Sequence, residues 1–203
     1  MTLSTHPRHS RKARAAAALL CLAALSACGE QPAGDSGASA ATAAKAPGAA
    51  AASGPATTRF TENGVTVTLT VSDWKASKGT LTAVFTPEEK GFHLYSTDLP
   101  ATGVEGVGRP TAMAVTGALT AEGRLAASAP VQKIRVPGVG APVPVYPDGP
   151  VTTTLPVRAD RNGEATVLFG YASCSSQEGC TIPVSDRPVH LQVTGEGPAF
   201  TSS

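Results

Sequence analysis

Most signatures of catalytic chemistry are missing from this sequence. It has no glycine-rich phosphate loop, no Ser-His-Asp order inside a supporting motif, and no carboxylate pair in a recognisable frame. At the level of motifs, those absences exclude nucleotide-phosphate binding, triad hydrolysis and paired-carboxylate glycoside chemistry. Helical periodicity is lacking beyond residue 58, which excludes a helical bundle there. Long apolar runs are lacking too. The run from Ala15 to Leu25 falls short of the ~20 residues that a permanent membrane helix needs. Cysteine is scarce. Of four, Cys21 lies inside that run and Cys28 just after it, so only Cys174 and Cys180 remain for the folded part. Two thiols at this spacing lack the second ligand pair of a closed tetrahedral zinc site. No metal and no other cofactor is implied.

What is present begins with an export signal. Arg8, Arg11, Lys12 and Arg14 precede the apolar run, and Leu25-Ser26-Ala27-Cys28 ends it. The last four residues resemble the lipobox of bacterial lipoproteins, whose cysteine takes a diacylglycerol on its sulfur and becomes the first mature residue. The resemblance implies a signal peptide over residues 1–27, lipidation at Cys28, and a protein held at the extracytoplasmic face of the cell membrane. An ordinary secretory signal with an incidental Cys28 is the alternative. Cleavage removes four basic residues and no acidic one, leaving 12 basic against 15 acidic and a formal charge of −3. No nucleic-acid partner is expected, because that needs a basic face. The cell envelope is oxidising, so an even pair of cysteines carries weight there.

Residues 29–58 are almost wholly Ala, Gly, Ser, Thr and Pro, without an aromatic side chain. Such a segment buries too little apolar surface to offset its ordering entropy, so residues 28–58 are expected to be the lipidated Cys28 and a disordered tether. About 30 residues of this composition have a root-mean-square reach on the order of 30 Å. Residues 59–197 suit one domain, with a disordered tail at 198–203.

Inside that domain, period-two alternation predicts strands. Val65, Val67, Leu69 and Val71 alternate with threonines, and Leu81, Ala83 and Phe85 repeat the pattern after a turn at Lys78-Gly79. Phe92–Tyr95, Ala112–Val115, Val131–Val136, Val151–Val157, Glu164–Tyr171 and Val189–Thr194 follow. Turn signals separate them at Asn63-Gly64, Asp148-Gly149-Pro150 and Asn162-Gly163. Many short strands at this spacing predict an all-β, immunoglobulin-like antiparallel sandwich. The prolines between Val136 and Pro156 favour edge strands or loops. Trp74 and Phe85 are expected in the core, His190 on a solvated face, and Glu88-Glu89-Lys90 in a solvated turn. For His93, packing explains the residue as well as ligation does.

The chemistry concentrates in Tyr171-Ala-Ser-Cys174-Ser-Ser-Gln-Glu-Gly-Cys180-Thr-Ile-Pro183. Strand-like segments flank a short polar connection with a thiol at each end, five residues apart. A hairpin end of this size can bring two Cα atoms within the roughly 4.4–6.8 Å a disulfide needs. Two readings stay open. One is a structural staple, which closing so small a loop makes worth only about 2–2.5 kcal/mol. The other is a reversible redox pair on an exposed tip. Between Tyr171 and Pro183 there is no Lys, Arg or His, and Glu178 is acidic. The sequence therefore predicts an unremarkable or raised thiol pKa, which suits a passive relay. A metal chaperone is disfavoured, since Met113 is the only methionine left after cleavage and no histidine is expected near the pair.

Three segments in order, Gly91-Phe-His-Leu-Tyr95, Leu155-Pro156-Val157 and Tyr171-x-x-Cys174-x5-Cys180-x-x-Pro183, resemble the amino-terminal envelope domain of the thiol:disulfide interchange protein DsbD. The likeness spans roughly Thr58 to Thr194. It implies an immunoglobulin-like sandwich that passes reducing equivalents, a component of protein-disulfide reduction. Cys180 matches the cysteine that forms mixed disulfides with partners, and Cys174 the one that resolves them. Tyr171 and Tyr95 match aromatic positions near the pair. The family has two prolines after the second cysteine; here Ile182 replaces the first, and Pro183 remains. Its pair is shielded by a cap loop with acidic and aromatic residues. The corresponding stretch here, Val139–Gly149, is rich in Pro and Val, and Tyr146 and Asp148 are its nearest matches. In that family the electrons come from a thioredoxin-like domain fed by a membrane-embedded one, and they go to oxidised envelope proteins. This sequence holds neither donor domain, so the resemblance implies a separate thioredoxin-like or membrane-embedded thiol–disulfide reductase. The rival reading is a non-catalytic, lipid-anchored binding module that the disulfide merely reinforces.

Overall fold

Alternation of buried and exposed residues assigns the layers. The computed structural model describes residues 56–201. The signal peptide, Cys28 and the tether as far as residue 55 lie outside the described residues, as do residues 202–203. Among the described residues every regular element is a strand, and the paired strands are antiparallel.

The first sheet starts with a hairpin of β1 (Ala56–Glu62) and β2 (Val65–Lys75). Asn63 and Gly64 join them, with φ of 48° and 72°. Positive φ at both central residues is the turn geometry that matches the twist of the flanking strands. Next comes β3 (Lys78–Pro87), paired with β2. The connecting turn is at Ala76-Ser77 (φ 49° and 66°), just before the Lys78-Gly79 turn that the sequence suggests. Gly79 serves another purpose: a Cβ there would stand 2.6 Å from the Trp74 ring. Trp74 is half-buried at the margin of the core, where Phe85 is fully buried. The far side of β3 carries β10 (Val151–Ala159), which in turn pairs with the short β6 (Leu119–Ala121) and β7 (Ala126–Ala127). So β10 is interior, where its proline had suggested an edge. The reason is local: β7 covers Thr153 and Thr154 and β6 covers Val157 to Ala159, so Pro156 falls in the gap between them. A residue without an N–H is tolerated at such a break in the ladder.

The second sheet runs β15 (Gly197–Phe200), β14 (Val184–Thr194), β11 (Gly163–Tyr171) and β5 (Ala112–Gly117). Two sequence boundaries are corrected here. Residues 56–58, assigned to the tether, belong to β1, and residues 198–200, assigned to the tail, belong to β15. Both gain ladder hydrogen bonds, and Pro198 is buried while Phe60 and Phe200 pack against the core.

Side chains from both sheets meet in one core. Val65, Val67, Leu69 and Val71 of β2, Leu81, Ala83 and Phe85 of β3, and Val151, Leu155 and Val157 of β10 face Ala165, Val167 and Phe169 of β11 and Leu191 and Val193 of β14. Phe85 touches Phe169 and Tyr171 edge-on, at centroid distances of 5.9 and 5.6 Å. The Tyr171 hydroxyl donates to the carbonyl of Glu62 at 3.1 Å, tying the end of β11 to β1.

Burial pushes the Tyr171 phenol up to about 12; the Glu62 carboxylate adds to the rise and Arg187 opposes it. The folded chain thus keeps a proton that the unfolded chain releases from about 10 upward. Tyr171's stabilisation is complete below that pH and is lost as pH climbs toward about 12. In urea titrations through this window, the wild-type chain should lose stability more steeply than Tyr171→Phe. Equal slopes would remove the phenol as the cause.

Candidate functional site

Near the end of β11 the register with β14 shifts, between Phe169 and Tyr171. The chain leaves that sheet and folds into a small hairpin of β12 (Ser173–Ser175) and β13 (Gly179–Cys180). Gly179, at φ 90°, takes a left-handed conformation that favours glycine as the chain returns. The other side of β12 pairs with β4 (His93–Leu94), giving a three-stranded sheet in the order β13–β12–β4. Beyond β4, residues 144–149 lie alongside, with Tyr146 N–H on the Leu94 carbonyl and Gly149 N–H on that of Phe92. A last hairpin, β8 (Gln132–Ile134) with β9 (Val143–Val145), leads into that segment.

Cys174 and Cys180 stand opposite each other across β12 and β13 and are joined as a disulfide, with S–S 2.04 Å and Cα–Cα 4.0 Å. Their surroundings differ. Cys174 is only 4% exposed and packs with Tyr95, Leu99, Val143, Val145 and Ala172. Val136 and Val139 of the β8–β9 connection pack against the same cluster. Cys180 lies on the exposed strand, beside the exposed tip residues 176–178. An incoming sulfur therefore has a path to Cys180 and meets packed side chains around Cys174.

Tyr95 is the group on the sulfurs. Its hydroxyl lies 3.0 Å from Cys174 Sγ and 3.7 Å from Cys180 Sγ. A disulfide sulfur carries no hydrogen, so the O–H donates. A phenol is protonated at neutral pH, and burial raises that of Tyr95 further above its ordinary value. The carbonyl of Tyr95 accepts from the Thr111 hydroxyl at 2.7 Å. Gly108 lets the next loop lie flat on the ring, since a Cβ there would come within 2.6 Å of Tyr95 Cε1.

The structure corrects the expectation that no histidine lies near the pair. His93 is the register partner of Cys174 on β4. It is buried, and its Nδ1 lies 3.3 Å from Asp148 Oδ1. Its other ring nitrogen, Nε2, is buried without a hydrogen-bond partner among the described residues. Neither residue belongs to the Cys174–Cys180 segment, and only topology brings them to it.

The other residues singled out in the sequence are placed as follows. Tyr171 and Tyr146 belong to the main sandwich core. Their hydroxyls are engaged away from the sulfurs, Tyr171 on Glu62 and Tyr146 accepting from the Thr97 N–H at 3.0 Å. The cover on Cys174 from the Val139–Gly149 stretch is thus aliphatic, and the aromatic cover expected from Tyr146 is not there. Pro183 is exposed, and Ile182 before it is 73% exposed, an apolar side chain in solvent close to Cys180. His190 is exposed and meets the Thr166 hydroxyl at 3.2 Å through Nδ1. Glu88, Glu89 and Lys90 form an exposed bend.

No protein-family model and no curated protein matches the sequence. Among solved structures, the chain is similar to the N-terminal domain of DsbD from Neisseria meningitidis in its reduced form. The TM-score is 0.42 at 14% identity, over 68% of this chain and 90% of that one.

Proposed function

We propose that this chain is a cell-envelope thiol–disulfide exchange module that relays reducing equivalents through Cys174 and Cys180. The observation that carries the reading is the asymmetry of the pair: Cys180 is an exposed residue and Cys174 a buried one. A donor thiolate attacks Cys180 Sγ. The Cys174–Cys180 bond breaks, its electron pair goes to Cys174 Sγ, and a mixed disulfide forms at Cys180. The Tyr95 hydroxyl, already 3.0 Å from the leaving sulfur, donates to the thiolate as it forms. The donor's second thiol then displaces Cys180, leaving a dithiol here and a disulfide on the donor. Oxidised envelope proteins are reduced by the reverse sequence. The donor is a separate thioredoxin-like or membrane-embedded reductase, and the chain acts in protein-disulfide reduction. The address that fits is the extracytoplasmic face of the cell membrane, with Cys28 lipidated, a reading supported by the lipobox-like Leu25-Ser26-Ala27-Cys28.

A redox titration of the pair against glutathione tests this. A relay equilibrates within the range of exchange proteins, between about −120 and −270 mV. A midpoint below about −300 mV marks a bond that only reinforces the loop, and the chain would then be a binding module.

A further inference from the structure

Four chemically active groups form a row across the β13–β12–β4 sheet. The register sets Cys180 opposite Cys174, and Cys174 opposite His93. Directly opposed residues of antiparallel strands project from the same face, with Cβ atoms about 4.5–5.5 Å apart. Past His93, on the segment that follows β9, Asp148 Oδ1 lies 3.3 Å from Nδ1. The order is thiol, thiol, imidazole, carboxylate. In the neutral ring with its proton on the Nδ1 that faces Asp148, Nε2 is a bare lone pair, and in the imidazolium it is a second N–H donor. His93 is 8% exposed, and Nε2 has no partner among the described residues. A buried nitrogen left unpaired is costly unless another state of the molecule gives it a partner. The residue opposite His93 in the register is Cys174, whose sulfur gains a proton when the disulfide opens.

We propose that His93, oriented by Asp148, carries the proton that Cys174 gains when the disulfide opens and gives up when it closes. The inference rests on the exchange reading above. As the donor thiolate bonds to Cys180, Cys174 leaves as a thiolate in a buried site, where its charge is poorly solvated. His93, protonated from solvent and balanced by Asp148, passes its Nε2 proton to that sulfur and becomes neutral. When the donor's second thiolate releases Cys180, this sulfur takes its proton directly from water. Two electrons and two protons have then reached the pair, and the donor holds a disulfide. In reverse, the Cys180 thiolate first opens the partner's disulfide and forms a mixed disulfide; Nε2 then removes the Cys174 proton, and the thiolate so formed attacks Cys180 and releases the partner as a reduced thiolate. On β4, on the strands and segment paired beside it and just after it, the titratable groups besides His93 are Asp148, Tyr95, Tyr146, Cys174 and Cys180; Glu88, Glu89 and Lys90 precede β4 in an exposed bend, Asp98 follows Tyr95, and Glu178 lies at the exposed hairpin tip. Burial raises the Tyr95 phenol further above its ordinary value, and Tyr146 is engaged by Thr97. His93 is thus the base in this row placed to pass a proton to the buried sulfur. It is a positioning and proton-carrying residue; the sulfurs alone exchange bonds.

The test is the rate at which dithiothreitol reduces the Cys174–Cys180 bond in the full chain. The rate is divided by dithiothreitol thiolate at each pH and followed by alkylation and mass analysis. For wild type, this corrected rate should fall as pH rises, because the proton carrier is needed on the leaving sulfur. His93→Gln should flatten the profile and slow the acidic end by about tenfold or more. Asp148→Asn alters a side chain 60% exposed, which the fold tolerates. It should slow the acidic end as well, because the imidazolium loses the carboxylate that faces Nδ1. A wild-type profile in His93→Gln overturns the role of His93 and leaves exchange standing. Should that variant fail to fold, an unmoved profile in Asp148→Asn does the same. A wild-type bond that dithiothreitol reduces at no pH overturns the exchange reading itself.

Discussion

A Cys174→Ser chain mixed with an oxidised thioredoxin-like protein is expected to accumulate a mixed disulfide through Cys180. The Cys180 thiolate attacks the partner's bond and forms the link. Without Cys174 no internal sulfur remains to break it. The converse variant, Cys180→Ser, should trap on the order of tenfold less, because its one remaining thiol lies under Tyr95, Leu99 and Val145 and meets a partner poorly. Non-reducing gels with peptide mapping of the linked sulfur give the result directly. Equal trapping in the two variants would show that burial does not decide which sulfur reacts. No trapping in either would leave the disulfide as reinforcement only. In both variants the sandwich should stay folded, since closing so short a loop contributes only about 2–2.5 kcal/mol.

Phe85→Ala should be far more damaging to the fold. Phe85 is fully buried and is the hub of the aromatic contacts, edge-on to both Phe169 and Tyr171. Truncation removes a large apolar side chain and opens a cavity between sheets that cannot close around it. The expected loss is about 3–5 kcal/mol, read as a lower urea midpoint with an unchanged slope. A loss under about 1 kcal/mol would mean that the two sheets collapse onto the gap, and that the core is less rigid than its packing implies. The variant also separates scaffold from chemistry. While it remains folded, its Cys180 should still form mixed disulfides, because the hairpin bearing the sulfurs packs in a second cluster around Tyr95 and Val145.

What could be read from the sequence follows from how local each signal is. Val65–Val71 and Glu164–Tyr171 alternate because one side of each strand faces the core, and that alternation is written in consecutive residues. The Cys174–Cys180 pairing is equally local, a hairpin tip with five residues inside it. Strands of two or three residues, such as β6, β7, β12 and β13, are too short to show a period. β15 hid behind Gly197 and Pro198, which read as the end of a domain. Pro156 suggested an edge because no sequence pattern announces a gap between β7 and β6. At the site, Tyr95 came from the family resemblance alone. His93 could be weighed only as a packed or ligating residue, and Asp148 only as a turn residue or a match to a cap loop. Their placement beside the sulfurs depends on β4 pairing with a strand far along the chain. Tyr146 and Tyr171 illustrate the opposite case. They are close to the right segments in sequence, yet their side chains turn into the sandwich.

The bare isoleucine near the open sulfur has a consequence for traffic. Ile182 holds apolar surface in water, and only a partner broad enough to cover it recovers that cost, at about 25 cal/mol for each Å² removed from solvent. Glutathione and other small thiols, touching one atom, gain almost nothing from it. A module built this way would favour proteins over metabolites at the moment of encounter, and so remain out of step with the thiol pool that surrounds it.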